Sequence, residues 1–225
     1  MIRPALYRRH LSTHGDLEVW LVDGHYIRGH LDEEFTNFGQ HYRFADIPKH
    51  ELWIDESPTD EEYVFFIEHL LVEHRLMARG IPYEQALSQA GSIEMTLRRK
   101  EKPTQQLDKR LWKTFGNGPQ AWIVRGRSVR DNFEINFTAG GHDLVYDFIP
   151  AQEIWIDDAI NPPERDLILL HELFERRQMA DGLPYDLAHA HSNHLEGWCR
   201  QHPEDLQRQL SLAGNIGEVV HAESS

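Results

Sequence analysis

Three residues in the second half of the chain have types and a spacing that suit metal chemistry. His171, Glu172 and Glu175 form a His-Glu-x-x-Glu pattern within the segment 169–177. On a helix, residues four apart lie on one face with Cβ atoms about 5–6 Å apart, so the imidazole and the second carboxylate can bind one divalent ion. Glu172 is rotated by about 100° around the helix axis, which places it to act on a water molecule instead.

A third ligand is predicted from the turn that follows this helix. Gly182 and a nearby proline favour the end of one helix and the start of another, and therefore a helical hairpin. His189 and Glu175 are equally distant from Gly182 in the sequence, so antiparallel packing places them opposite each other. We predict a zinc site of His171, Glu175 and His189 with one open position, and Glu172 as the general base.

Three further residues are predicted to contact a substrate or to support the ligands. Asn193 and Glu196 follow His189 on the same face of the second helix. His142 ends the glycine-containing segment 137–142, which we place near the site, although a hairpin turn explains its glycines equally well.

The pattern around His171, Glu172 and Glu175, with a ligand on the following helix, resembles the zincin-like metallopeptidases of bacteria and their phages. The resemblance is confined to this helical part of the chain, and members of that family usually have histidine where Glu175 stands. It implies that His171 and Glu175 are ligands and that Glu172 is the base. It also implies that the strand at 153–157 pairs with an extended peptide substrate.

The chain contains a second, altered copy of the same stretch. Aligning residue n with residue n + 102 pairs Trp53 with Trp155 and His69 with His171, and the alignment continues without a gap from Trp20 to about Arg98. A match of this length indicates an internal duplication. We divide the chain into 1–19, an N-terminal extension; 20–99, module one; 100–121, a basic linker; 122–200, module two; and 201–225, a C-terminal tail.

Each module is predicted to be α+β, with a small antiparallel sheet followed by a helical hairpin. The strand patterns of module two are a hairpin over 122–130 and strands at 134–137, 144–148 and 153–156. We expect capping boxes at the start of the first long helix in each module. They are formed by Thr59 with Glu62 and by Asn161 with Glu164. The segment 98–113 is interpreted as an exposed connector.

Module one leaves two interpretations open. It keeps His69 and Glu73 but has Leu70 at the position of the base and Leu87 at that of the third ligand. In the first interpretation, module two is a metal-dependent hydrolase and module one is a degenerate copy. In the second, the shared His–Glu pair is a structural hydrogen bond. The protein is then a non-enzymatic, acidic interaction protein that blocks a partner or mimics DNA.

The composition of the chain limits the classes of partner that we expect. The 225-residue chain has a formal charge of −14 and one cysteine, Cys199. A nucleic-acid partner is disfavoured because phosphate binding requires a basic surface. We expect a cytoplasmic protein without membrane association, acting on or binding a peptide or protein. The oligomeric state is not predicted.

Overall fold

The computed structural model describes residues 6–58, 60–101 and 107–214. Thr59, linker residues 102–106 and the tail beyond residue 214 lie outside the described residues. The elements of module one are β1 (Tyr7–His14), β2 (Leu17–Val22), α1 (Gly24–His30), β3 (Phe38–Gln40), β4 (Glu51–Asp55), α2 (Tyr63–Met77) and α3 (Tyr83–Lys100). Those that follow are β5 (Lys109–Thr114), β6 (Gln120–Val124), α4 (Gly126–Asn132), β7 (Gly140–His142), β8 (Glu153–Asp157), α5 (Pro162–Ala180), α6 (Tyr185–Gln201) and α7 (Leu206–Gly214). Short 3₁₀ helices precede α2 and α7, at Asp60–Glu62 and Pro203–Asp205.

The tandem α+β duplication is confirmed. The bounds of α1, β3 and β4 recur in α4, β7 and β8 at the offset of 102, and each four-stranded sheet is followed by a helical hairpin. The duplication also includes strands outside our module bounds. β1 lies in the segment interpreted as an extension, and β5 lies in the segment interpreted as an exposed connector. Both are strands of the sheets, so the connector interpretation was wrong for 109–113.

The sheets differ from the predicted meander. Their strand orders are β1-β2-β4-β3 and β5-β6-β8-β7. In the first sheet β2 and β4 pair in parallel, while β1–β2 and β3–β4 are antiparallel. A parallel pair needs a crossover connection, and here the segment containing α1 supplies it. The sheet is therefore mixed.

Two hydrophobic clusters cover the two faces of the first sheet. Because side chains alternate along a strand, Leu52 and Ile54 of β4 pack towards α2, while Trp53 packs on the other face with Ile27 and Phe35. Strand β4 is consequently buried at every residue. This double burial explains why its three central residues are all apolar rather than alternating with polar ones.

In the hairpin that we predicted over 122–130, the first strand is present as part of β6, and helix α4 replaces the second strand. Gly126 and Arg130 are one turn apart on α4, and Arg130 donates to Asp157 at 2.7 Å and to the Phe137 carbonyl at 2.9 Å. A Cβ at Gly126 would lie only 1.9 Å from the Asp157 carboxylate. The helix is thus selected by a buried Gly–Arg–Asp contact that a local strand pattern does not reveal.

Segments 134–137 and 144–148 are also not strands. Both consist of turns and irregular backbone that connect the short elements. The predicted glycine turn at Gly140 and Gly141 is instead strand β7, and the left-handed backbone conformation falls on the preceding residue, Ala139, with φ of 52°.

Helix α2 begins at Tyr63, one 3₁₀ turn later than the predicted capping box indicates, and the glutamates of both predicted boxes have arginine partners. α5 starts at Pro162 as predicted. Glu164 accepts a hydrogen bond from Arg200 at 2.6 Å, and Glu62 forms no side-chain cap at the start of α2. Both carboxylates pair with buried arginines, while the predicted capping box of Glu62 involves Thr59, which lies outside the described residues.

Spatial contacts divide the chain into two compact units. Unit 1 comprises Met1–Asp108, Val124–Ala139 and Asp157–Asn161, and unit 2 comprises Lys109–Ile123, Gly140–Ile156 and Pro162–Ser225. Among the described residues, no helix has both the length and the apolar character needed to cross a bilayer.

Candidate metal centre

Helices α5 and α6 bring the three predicted ligands of unit 2 together. The turn between them contains Gly182 in the left-handed conformation, with φ of 95°. His189 on α6 consequently lies opposite Glu175 on α5, with 2.7 Å between His189 Nδ1 and Glu175 Oε2. The helical hairpin and its predicted pairing are both present in the structure.

The three donor atoms have the separations of a small polydentate site. His171 Nε2 is 3.2 Å from His189 Nδ1 and 3.5 Å from Glu175 Oε2. Two ligands at 2.1 Å from a tetrahedral ion are about 3.4 Å apart. The His171 separations match this value, while the shorter His189–Glu175 separation is that of a hydrogen bond. The donor set and its geometry therefore fit a zinc-like ion.

A buried carboxylate orients His171 for such a role. His171 Nδ1 lies 3.1 Å from Glu196 Oε2, and Arg200 donates to Glu196 at 2.6 Å and to Glu164 at 2.6 Å. Donation from Nδ1 to a carboxylate leaves Nε2 as the metal-binding nitrogen, which is the usual support of a histidine ligand. Glu196 thus supports a ligand and is itself fixed by Arg200.

His142 holds Glu175 in position. The backbone amide of Leu144 donates to His142 Nδ1 at 3.2 Å, so a neutral ring carries its proton on Nε2. His142 Nε2 then donates to Glu175 Oε1 at 3.0 Å. Both ring nitrogens are used and the side chain is fully buried. His142 therefore orients a ligand, and the predicted contact between His142 and substrate does not fit this arrangement.

Glu172 lies beside the three ligands in a space made by a glycine. A Cβ at Gly140 on β7 would be 3.0 Å from Glu172 Oε1 and 3.1 Å from Ile168 Cγ2. Single donor atoms of Glu172, Glu175 and His142 also lie within 4.8 Å of one another. The Glu172 carboxylate therefore lies next to the three predicted ligands but is not one of them.

Burial and charge separate the protonation behaviour of the two glutamates. Burial raises the pKa of Glu172 to about 7, with the charge of His171 opposing and that of Glu175 reinforcing the increase. For Glu175, burial acts in the same direction, but hydrogen bonds from His142, His171 and His189 outweigh it and lower the pKa. Glu172 can accordingly exchange a proton near neutral pH, while Glu175 remains a carboxylate.

His171 carries a proton in the metal-free cluster. Burial by itself lowers the pKa of His171, but its hydrogen bonds to Glu175 and Glu196 and the charge of Glu172 raise it to about 10. An ion that binds Nε2 must displace this proton, so metal binding is coupled to proton release.

Module one contains the same supporting network in unit 1. His69 Nδ1 lies 2.8 Å from Glu94, Arg98 bonds to Glu94 and Glu62, and Gln40 donates to Glu73 at 2.8 Å. These contacts match those of His171, Glu196, Arg200, Glu164, His142 and Glu175. The network of module one is therefore present without a polar group at Leu70 or Leu87.

Three of the positions at which the modules differ lie around the histidine that both modules share. Phe38, Leu70 and Leu87 of module one correspond to Gly140, Glu172 and His189 of module two. The Phe38 ring lies 4.9 Å from the His69 ring, so it covers the histidine. The three changes together provide space, a carboxylate and a third donor only in module two.

Two further predictions concern Asn193 and the strand at 153–157. Asn193 is half-buried on α6, one turn beyond His189. The strand prediction for 153–157 is confirmed as β8, but β8 has neighbours on both sides and cannot pair with a peptide there. The edge strand of that sheet next to the site is β7.

Sequence reasoning missed Gly140, Arg200 and Glu164. The repeat aligns Arg200 with Arg98 and Glu164 with Glu62. Charged residues shared by both copies were therefore a signal that the sequence alone provides. Comparison with protein families, curated proteins and solved structures finds no match for the chain.

Proposed function

We propose that module two is a metal-dependent hydrolase, with an ion held by His171, Glu175 and His189. The observation that carries this proposal is the concerted difference between the modules at Gly140, Glu172 and His189. A structural His–Glu pair requires none of these three changes, as module one demonstrates. A zinc-like ion would polarise the scissile carbonyl or phosphoryl group.

The residues around the ion have complementary roles. Glu172 accepts a proton from the attacking water and returns it to the leaving group, for which a pKa of about 7 is well suited. Glu196 orients His171, and His142 orients Glu175. These two supporting residues act on the ligands rather than on the substrate.

A peptide is the substrate class that we favour. Strand β7 is the edge strand of its sheet and lies beside Glu172, because Gly140 is a β7 residue. An extended peptide can add to such an edge through backbone hydrogen bonds. This placement supports the zincin-like interpretation but moves the substrate from β8 to β7.

Metal analysis of matched variants tests the site. We expect the wild-type protein to bind a zinc ion at module two, and His189→Leu, which carries the module-one residue, to bind zinc there with at least a 100-fold weaker affinity. The control His69→Gln should retain the module-two ion. Equal zinc affinity in wild type and His189→Leu would contradict the proposed ligand set.

Hydrolysis is then measured on a peptide library by mass spectrometry. Glu172→Gln should keep the ion and lose at least 100-fold in kcat, because the amide preserves the shape but cannot accept a proton. If the wild-type protein binds no ion and cleaves no peptide, the shared pairs are structural and the acidic interaction protein becomes the preferred interpretation.

A further inference from the structure

A pair of histidines in module one occupies the place of an ion pair in module two. In unit 2, Arg176 donates to Asp143 at 2.5 and 2.9 Å, joining α5 to the residue that follows β7. The equivalent residues in unit 1 are His74, near the end of α2, and His41, directly after β3. Histidine therefore occupies, in module one, both positions that form a salt bridge in module two. Imidazoles are common ligands of transition metals.

The two imidazole rings are neighbours, and each has a buried nitrogen that forms no hydrogen bond. His41 Nδ1 and His74 Nε2 are both shielded from solvent, and neither has a hydrogen-bond partner in the described part of the chain. Buried polar atoms normally have a partner, and an ion or a water molecule is the usual explanation when the protein supplies none. This pair thus points to a bound species.

The spacing of the rings favours an ion shared by both. Their centroids are 5.3 Å apart with an angle of 58° between the planes. Two imidazoles on one tetrahedral ion, each with its nitrogen at 2.1 Å, have centroids about 5 Å apart. Tyr42 contacts both rings, with centroids at 3.8 and 5.3 Å, and limits their movement.

We propose that His41 and His74 form a second transition-metal site, in module one, that binds an imidazole-preferring ion such as Ni²⁺, Cu²⁺ or Zn²⁺. His50 is a candidate third ligand, because it lies close enough to interact electrostatically with both histidines. The His74 side chain is half-buried against His41 and Tyr42. This site is independent of the hydrolase proposal.

The test uses the His189→Leu variant, which lacks the third ligand of module two. The metal-free variant is titrated with Ni²⁺, and binding is measured by calorimetry. We expect one Ni²⁺ in this background and at least a 100-fold loss of affinity when His41→Asp and His74→Arg are added. Module two already uses this Asp–Arg pair at the equivalent positions, so the substitution is matched to the fold. His194→Ala, at an exposed position on α6, is the control for adventitious binding and should change nothing.

The outcomes distinguish the proposals. Unchanged Ni²⁺ binding after the His41→Asp and His74→Arg changes, or no binding in the background protein, would overturn the module-one site. If the double variant is unfolded by circular dichroism, His41→Gln with His74→Gln replaces it and must show the same loss. Failure of the hydrolase proposal leaves these readings intact, because they are made without His189.

Discussion

Gly140 determines whether a carboxylate fits beside His171. We expect Gly140→Phe to destabilise the protein by about 2 kcal/mol, because the added ring overlaps Glu172 in a packed interior. The double variant with Glu172→Leu recreates the Phe38–Leu70 pair of module one and should recover most of that loss. Urea unfolding of the two single variants and the double variant measures the coupling. Additive effects would show that Gly140 does not make room for Glu172.

His69 makes the stability of module one depend on pH. Burial lowers its pKa, but the neighbouring carboxylates of Glu73 and Glu94 outweigh burial and raise it to about 9. A raised pKa stabilises the fold fully below the ordinary value of 6.5, and the contribution is lost as pH rises towards 9.

We therefore expect the wild-type free energy of unfolding to fall by on the order of 3 kcal/mol more than that of His69→Gln between pH 6 and 9.5. Urea unfolding of both proteins at the two pH values checks this. Parallel pH profiles would mean that His69 is not charged in the folded state.

Contacts between side chains within one helical hairpin could be predicted from the sequence. Contacts between a strand and a helix could not. His189 was placed opposite Glu175 because a helical hairpin fixes which residues face each other. Gly140 was missed because its effect depends on how closely β7 approaches α5, a distance that no local pattern contains. Glu196 was placed on the correct face, but its bond to Arg200 was not predicted.

The turns of the two helical hairpins offer a matched comparison at the level of elements. Gly80 and Gly182 have φ of 83° and 95°, and neither has an atom within 4 Å of an added Cβ. Alanine at either position should therefore cost about 1–2 kcal/mol through backbone strain alone. Only Gly182→Ala should also weaken metal binding, since it alters the path to His189.

Thermal unfolding and zinc titration of both alanine variants make this comparison. Equal zinc affinity in the two variants would show that the α5–α6 turn does not control the position of His189.

Helices were predicted more successfully than strands. The α5–α6 pair has caps, a stop glycine and long amphipathic patterns, all of which are local signals. Helix α4 is short and was mistaken for a strand, because its stability comes from Arg130 binding Asp157 and Glu62 rather than from its own pattern. The parallel pairing of β2 and β4 likewise depends on a crossover that sequence alternation does not encode.

For the whole molecule, unit 1 is assembled from three separate segments of the chain. Arg98 binds Asp131 at 3.0 Å, and Glu62 binds Arg130, so buried charges of the first segment have partners in the second. A fragment of residues 1–108 lacks Asp131 and Arg130, so Glu62 and Arg98 keep only each other and Glu94 as described ion-pair partners. Each lost charge-assisted hydrogen bond should cost about 1.5–3 kcal/mol. We expect that fragment to unfold at markedly lower urea concentration than residues 1–161, as followed by circular dichroism. Equal midpoints would show that the first segment is self-sufficient.

The three-segment composition of unit 1 also constrains its folding during synthesis. The ribosome must add residues 109–161 after the first segment before every part of unit 1 exists. At about 5–20 residues per second, this takes roughly 3–10 s. Throughout that interval the nascent chain carries Glu62 and Arg98 without their partners on α4, although the β1–β2 hairpin can already form. In this duplicated protein, the first copy therefore completes its folding only after part of the second copy has been translated.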